Sequence, residues 1–345
     1  MRVVWTDLHH RHSPKLEINL GQPIPTYERP DRAETIRQQL ESDPRFTFES
    51  LVEHGRAAIE AVHAEGLINW LETAWPEMHA QTGREQFSPE AMLHTGLRKG
   101  MGDVKPPTGA AASFGYWCYE TATPVVEGTY IASRASVDVA LTAAEIVLGG
   151  ERAAYGLCRP PGHHAAADVF GGFCFFNNAA IVAHHVASTT GTKVTVLDVD
   201  YHHGNGTQQI FYDRDDVQFV SLHGDPVRAY PWFIGHADET GTGRGLGSTI
   251  NYPLPAETPD DVYVNRLADA CAKIAAFGPS MVILSLGVDT YWNDPISDLA
   301  LTTEGYRRCG EVLAQMGLPT LVLQEGGYDI EAIGRNVHAW LTPLL

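Results

Sequence analysis

The sequence predicts an α/β fold: a parallel sheet flanked by helices on both faces. Three observations point there. Short runs dense in Val, Ile and Leu recur at KVTVLDVD (193–200), MVILSLGVD (281–289) and TLVLQEGGYD (320–329). Strands covered on both faces read in this way, without apolar–polar alternation. Helical segments separate these runs, as in β–α repeats rather than hairpins. Polar residues also gather at the carboxyl ends of the runs, where open parallel sheets bind their ligands. The chain has 345 residues, 44% of them apolar and 19% charged, which suits one large globular unit. No linker, internal repeat or low-complexity tract divides it, so a single domain over 1–345 is expected.

The elements follow in order along the chain. RVVW at 2–5 is the first strand, and polar helices are expected around 31–42 and 55–75. Residues 78–130 are rich in Gly, Pro, Thr and small side chains and lack a sustained apolar period. This predicts a long excursion from the core, and excursions of that length are usually functional. A helix over 132–149 leads to the strand AAYGLC (153–158). A helix over 177–190 leads to the 193–200 strand, and QFVSL (218–222) forms the next one. Helices over 260–277 and 303–316 precede the last two strands, and a helix over 330–341 closes the chain.

Composition excludes several classes of function. The net charge is −18, from 42 acidic and 24 basic residues. That balance repels phosphate backbones and anionic lipid and attracts cationic ligands, so neither nucleic acid nor membrane is an expected partner. No apolar run approaches the roughly 20 residues of a membrane helix. The start, MRVVWTDLHHRH, turns polar after five residues, unlike a signal peptide. Cys118, Cys158, Cys174, Cys271 and Cys309 are odd in number and lack CxxC spacing, which fits reduced thiols and a cytoplasmic setting.

The densest chemistry lies in VLDVDYHHGNG (196–206). Residues two apart in a strand share a face, so Asp198, Asp200 and His202 can converge at a strand end. Carboxylates and imidazoles packed together call for a cation. Catalytic zinc takes three protein ligands and leaves one position open. With Asp289 from a second strand end, Asp200 and His202 supply such a set. A two-metal site would need DxHxD and DxD patterns. Gly204 and Tyr291 stand where the additional carboxylates would be, so a single ion is favoured. His163 and His164 follow another strand in RPPGHHA, behind the stiff Pro160–Pro161–Gly162 approach, and are candidates for general base and acid. Each imidazole needs a partner on its other nitrogen, and Asp198 and Asn205 are at hand. Tyr328, after two glycines, can donate to a developing oxyanion.

RPPGHHA, GGFCFFNN, LDVDYHHGNGTQ, SLHGD, LGVDT and EGGY together resemble the zinc-dependent histone deacetylase superfamily, with its arginase/deacetylase fold. The match is dense over about 150–330, and the N-terminal part is similar to bacterial acetylpolyamine amidohydrolases. The resemblance implies zinc held by Asp200, His202 and Asp289. It implies that His164 is the base and then the acid, oriented by Asn205, with His163 paired to Asp198 and Tyr328 polarising the amide carbonyl. Gly172, Phe173 and Tyr230 would line an acyl-amine channel. Structural potassium is implied at Asp198, Asp200, His202, Ser221 and Leu222, and a second potassium at Phe211, Arg214 and Val217. The 78–130 insertion would serve dimerisation and narrow the entrance. Glu17 would attract a distal ammonium, with Asp103, Glu120 and Glu127 as nearby candidates. Ala111 and Ala122 stand where polyamine enzymes can carry acidic residues, which points to short substrates such as acetylputrescine and acetylcadaverine. Protein acetyl-lysine is the alternative substrate. A non-catalytic metal-bound scaffold is a third reading, opposed by the intact donor, base and tyrosine set.

Other residues carry plainer expectations. His184 and His185 belong on a helix surface, and His203 in a structural hydrogen bond. His9, His10 and His12 have the look of a metal cluster but fall off the strand-end rim. Cys174 belongs in the site floor and Cys158 in its strand. Trp117 and Tyr119 are expected in packing or dimer contacts.

Overall fold

The computed structural model describes residues 1–345. Its centre is an eight-stranded sheet in which every pairing is parallel. The spatial order is Thr249–Leu254, Val217–Gly224, Val194–Asp198, Met281–Leu286, Thr320–Gln324, Ala153–Gly156, Arg2–Trp5 and Thr47–Ser50. Consecutive residues of the central strands feed opposite cores, as period-two geometry requires. Val196, Ile283, Leu321 and Leu323 face one core, with helices Glu65–Thr82, Thr129–Leu148 and Asn178–Thr190. Leu197, Leu284 and Val322 face the other, with helices Asp31–Glu41, Asp260–Phe277, Thr303–Ala314 and Ile333–Leu341. This is the expected arrangement of a parallel sheet with helices on both faces.

The order departs from the sequence at one informative place. From Val194–Asp198 the chain builds outward through 217–224 to 249–254, then returns to add Met281–Leu286 on the other side. Loops leaving the two neighbouring strands diverge there, opening the crevice in which α/β sheets bind ligands. Asp198 ends the first of these strands, and Asp289 follows the second by three residues.

Four local differences have physical causes. The helix expected over 55–75 divides into Ala57–Glu60 and Glu65–Thr82. At the break, the buried His63 side chain donates from Nδ1 to Ala166 O (3.0 Å) and accepts from Asn177 N (2.9 Å), and Ala64 N donates to Ala167 O (2.8 Å). Tertiary partners here replace the helical ones. Both edge strands, 47–50 and 249–254, lie outside the sequence expectation: the first has four residues, and the second, TINYPL, holds a proline tolerated only at an edge. A hairpin of Leu16–Asn19 and Gln22–Pro25 also projects near the N-terminus. The 78–130 excursion contains helix Ala110–Trp117 and a small ladder pairing Gln86–Phe87 with Val125–Val126. No helix is long and apolar enough to cross a membrane.

Candidate active site

Loops from the carboxyl ends of five strands meet over the crevice. Asp200, His202 and Asp289 are buried, with ligand atoms within 4.8 Å of one another. His202 Nδ1 lies 3.0 Å from Asp289 Oδ2 and 3.3 Å from Asp200 Oδ1. The outer oxygens are fixed by backbone amides: Gly326 N donates to Asp200 Oδ2 (2.7 Å) and Tyr201 N to Asp289 Oδ1 (2.8 Å). Two glycines make the close approach possible. A Cβ on Gly287 would lie 2.1 Å from Asp200 Oδ2, and one on Gly326 would lie 2.7 Å from Asp289 Oδ2.

The electrostatics show what this cluster lacks. Burial and the Asp200 charge raise Asp289 to about 6. Against burial, His163 and His202 hold Asp200 below the usual carboxylate range. The two carboxylates likewise outweigh desolvation at His202 and raise it to about 9. Two buried carboxylates and one imidazole turned towards one another form a donor set that suits a cation. One divalent cation bound to one nitrogen and two carboxylate oxygens fits these donors, with room left for water or substrate.

The adjacent histidines have different partners and different protonation. His163 Nδ1 donates to Asp198 Oδ2 (3.0 Å), whose other oxygen accepts from Asp200 N (3.1 Å). Despite burial, Asp198, Asp200 and Glu325 raise His163 to about 10. His164 Nδ1 donates to the neutral Asn205 Oδ1 (2.6 Å). Burial, His163 and His202 push His164 well below its ordinary value, leaving it a neutral acceptor at Nε2. Glu325 accepts from the amides of Gly162 (2.7 Å) and His163 (3.2 Å), tying the histidine loop to the EGGY segment. Sequence reasoning assigned Glu325 no role.

Tyr328 stands opposite. Asp294 Oδ2 accepts from its amide (2.7 Å), and the Arg32 guanidinium lies 4.6 Å from its ring centre. Arg32 also donates to the carbonyls of Glu325 and Gly327, both at 2.6 Å. Burial raises the phenol well above 10, so it remains a donor. Its hydroxyl makes no hydrogen bond within the protein, whereas its backbone is clamped.

A cavity of about 520 Å³ leads outward from His164, His202 and Tyr328. Gly172, Phe173, Tyr230 and Glu17 all line it, as expected. Gly172 (φ +57°) is obligatory, because a Cβ would fall 2.2 Å from His164 Cδ2. Phe173 holds the left-handed φ of 66°, unusual for its type. The strain is held by Glu120, which accepts from Gly172 N (3.1 Å), and by Thr123, which accepts from Phe173 N (2.7 Å). Glu120 lines the cavity, but Asp103 and Glu127 do not. Glu17 accepts from Thr26 Oγ1 (3.1 Å) and Tyr27 N (3.0 Å), and burial raises it to about 7.

One plain expectation is incomplete. Tyr119 packs against Gly171, and it also lines the cavity, where its hydroxyl accepts from Tyr230 Oη (2.8 Å). Its position directly before Glu120 was the available signal. The other plain expectations agree with the structure. His203 Nε2 lies 3.0 Å from Gln208 and 3.1 Å from Asn251, Cys158 and Cys174 are buried, and Trp117 packs on Gly66. His184 is half-buried and accepts from Arg214 Nη1 (2.9 Å). The expected potassium residues adjoin the site: Ser221 pairs with Asp198 across neighbouring strands, and Phe211, Arg214 and Val217 surround the turn before the second strand.

Residues 26–344 match the histone deacetylase domain. The chain belongs to the histone deacetylase family and is a hydrolase of amide bonds. It is 42% identical to the acetylpolyamine amidohydrolase of Mycoplana ramosa over 337 residues, covering 98% of this chain and 97% of that protein. It is also 42% identical to acetylpolyamine amidohydrolase 1 of Pseudomonas aeruginosa, covering 97% and 96%. The crystal structure of the Burkholderia pseudomallei acetylpolyamine aminohydrolase matches with a TM-score of 0.92 at 36% identity, covering 100% of this chain and 98% of that one.

Proposed function

We propose that the protein is a zinc-dependent amidohydrolase that removes acetyl groups from small cationic amines. The observation that carries this reading is the meeting of Asp200, His202 and Asp289 with His164 and Tyr328 at the base of one cavity. A zinc ion held by the three donors would supply Lewis acidity, lowering the pKa of a water and polarising the amide carbonyl. His164, aimed by Asn205 and kept neutral by its surroundings, would take a proton from an attacking water and return it to the leaving amine. His163, held as an imidazolium by Asp198, favours negative charge developing nearby. The Tyr328 phenol donates to the developing oxyanion, at a position set by the Asp294 clamp on its backbone.

The rim supports the substrate assignment. Phe173 and Tyr230 form apolar walls for a thin methylene stem, and Glu17 offers a carboxylate near the mouth for a distal ammonium. Ala122 also lines the cavity, which leaves less acidic surface for a second ammonium and favours acetylputrescine or acetylcadaverine over longer polyamines. The curated relatives are acetylpolyamine amidohydrolases by name, which agrees. The chain works as one catalytic domain in the cytoplasm, with the 78–130 insertion shaping the entrance and forming a homodimer contact. Exposed Leu97 and Met101 on that insertion support such a contact. Structural potassium at Asp198, Asp200, His202, Ser221 and Leu222, and at Phe211, Arg214 and Val217, completes the proposal; the pairing of Asp198 with Ser221 on adjoining strands supports the first set. The test is turnover of acetylputrescine against an acetyl-lysine peptide. A preference for the diamine is expected, and a strong peptide preference overturns the assignment.

A further inference from the structure

A second group of metal-binding side chains lies outside the cavity. The short 3₁₀ turn Asp7–Arg11, capped by Thr6, follows the first strand and places His9 and His10 side by side. Their ring centres are 4.1 Å apart and their planes differ by 31°. They converge on Glu34, which enters from the first turn of helix Asp31–Glu41. Each Nε2 lies 3.0 Å from the same oxygen, Glu34 Oε1. The other oxygen, Oε2, is held by Arg37 Nη2 (2.9 Å) and Nε (3.0 Å), so the carboxylate is fixed with Oε1 towards the imidazoles. The three ligand atoms lie within 4.8 Å of one another.

We propose that His9, His10 and Glu34 bind a second divalent transition-metal ion. Ligand atoms around a tetrahedral zinc with bonds of about 2.0–2.1 Å are about 3.3 Å apart. The two nitrogen–oxygen separations of 3.0 Å are already close to that. Two imidazoles and one carboxylate suit zinc, cobalt, nickel or copper far better than calcium or magnesium. The side chain of His9 is 3% exposed and that of His10 is 49% exposed, so one ligand is rigid and the other leaves the ion a path from solvent. Nearby guanidinium charges are already matched: Arg159 pairs with Glu28, and Arg37 with Glu34 and Glu41. On binding, the ion replaces the two N–H donors now shared by one oxygen.

The experiment is metal analysis of the full-length protein saturated with Zn²⁺ and freed of loosely held ions by gel filtration. Wild type is expected to retain two ions per chain and His10→Ala one, with deacetylation by His10→Ala unchanged. The His202→Ala variant is expected to keep one ion, lost when His10→Ala is added. One ion fewer in His10→Ala supports the second site whatever the substrate proves to be. Equal metal content in wild type and His10→Ala overturns it. Retained deacetylation by the variant reports that it has folded.

Discussion

The floor and the rim of the cavity are built by different means. In the floor, Asp198, Asp200 and Asp289 are at most 1% exposed, and each carboxylate is held by an amide of a strand-end loop. At the rim, Glu17 is also buried and amide-held, but on a two-stranded hairpin outside the main sheet whose turn residue Leu20 is 97% exposed, and Trp232 beyond Tyr230 is half exposed. A reacting group misplaced by an ångström loses much of its effect, so it belongs on rigid strand ends. Substrate choice tolerates, and profits from, variable loops. The comparison separates what this site does from what it does it to.

If that separation holds, floor variants act on kcat and rim variants on KM. The largest effect is expected for His164→Ala, with kcat reduced roughly 10²–10⁴-fold, the usual worth of a positioned base. Tyr328→Phe should lower kcat by about 10²–10³-fold, as for loss of one oxyanion donor. Its melting temperature should be unchanged, because the hydroxyl has no partner within the protein. A large drop in melting temperature would show that the phenol is structural.

Rim changes are smaller. Glu17→Gln is expected to raise KM for acetylputrescine at pH 8 with little change in kcat. Since burial raises Glu17 to about 7, KM in wild type should fall as pH rises through that value, and this step should vanish in the variant. Stability runs the opposite way. The neutral Glu17 favoured in the fold contributes below the ordinary carboxylate range, and that contribution is lost as pH rises through about 7. Glu17→Gln should therefore raise the melting temperature at pH 8 and leave it unchanged at pH 4. Smallest of all, Tyr119→Phe removes one neutral hydrogen bond to Tyr230, and kcat/KM should change by less than about tenfold.

The floor was the legible part of the sequence. VTVL (194–197) and VIL (282–284) open short strands dense in branched apolar residues, so these strands and the polar residues at and just beyond their ends stand out in one dimension. Asp200, His202, Asp289, His163, His164 and Tyr328 were found in this way, and the family resemblance specified their pairings. The rim was less legible, because its order comes from distant partners. Glu120 stabilises the Gly172–Phe173 turn across 52 residues, and Tyr119 reaches Tyr230 across 111. Neither contact leaves a periodic trace. The same holds for the helix break at His63, whose ring is satisfied by residues 103 and 114 positions away.

The division of labour is tested most directly by steady-state kinetics of the wild-type protein on acetylputrescine and on N-pentylacetamide, in which a methyl group replaces the ammonium. Similar kcat values are expected, with KM at least about tenfold higher for the neutral amide, the equivalent of about 1.4 kcal/mol of recognition at the rim. Equal KM values, or a kcat that collapses with loss of the ammonium, would contradict a floor that reacts and a rim that selects.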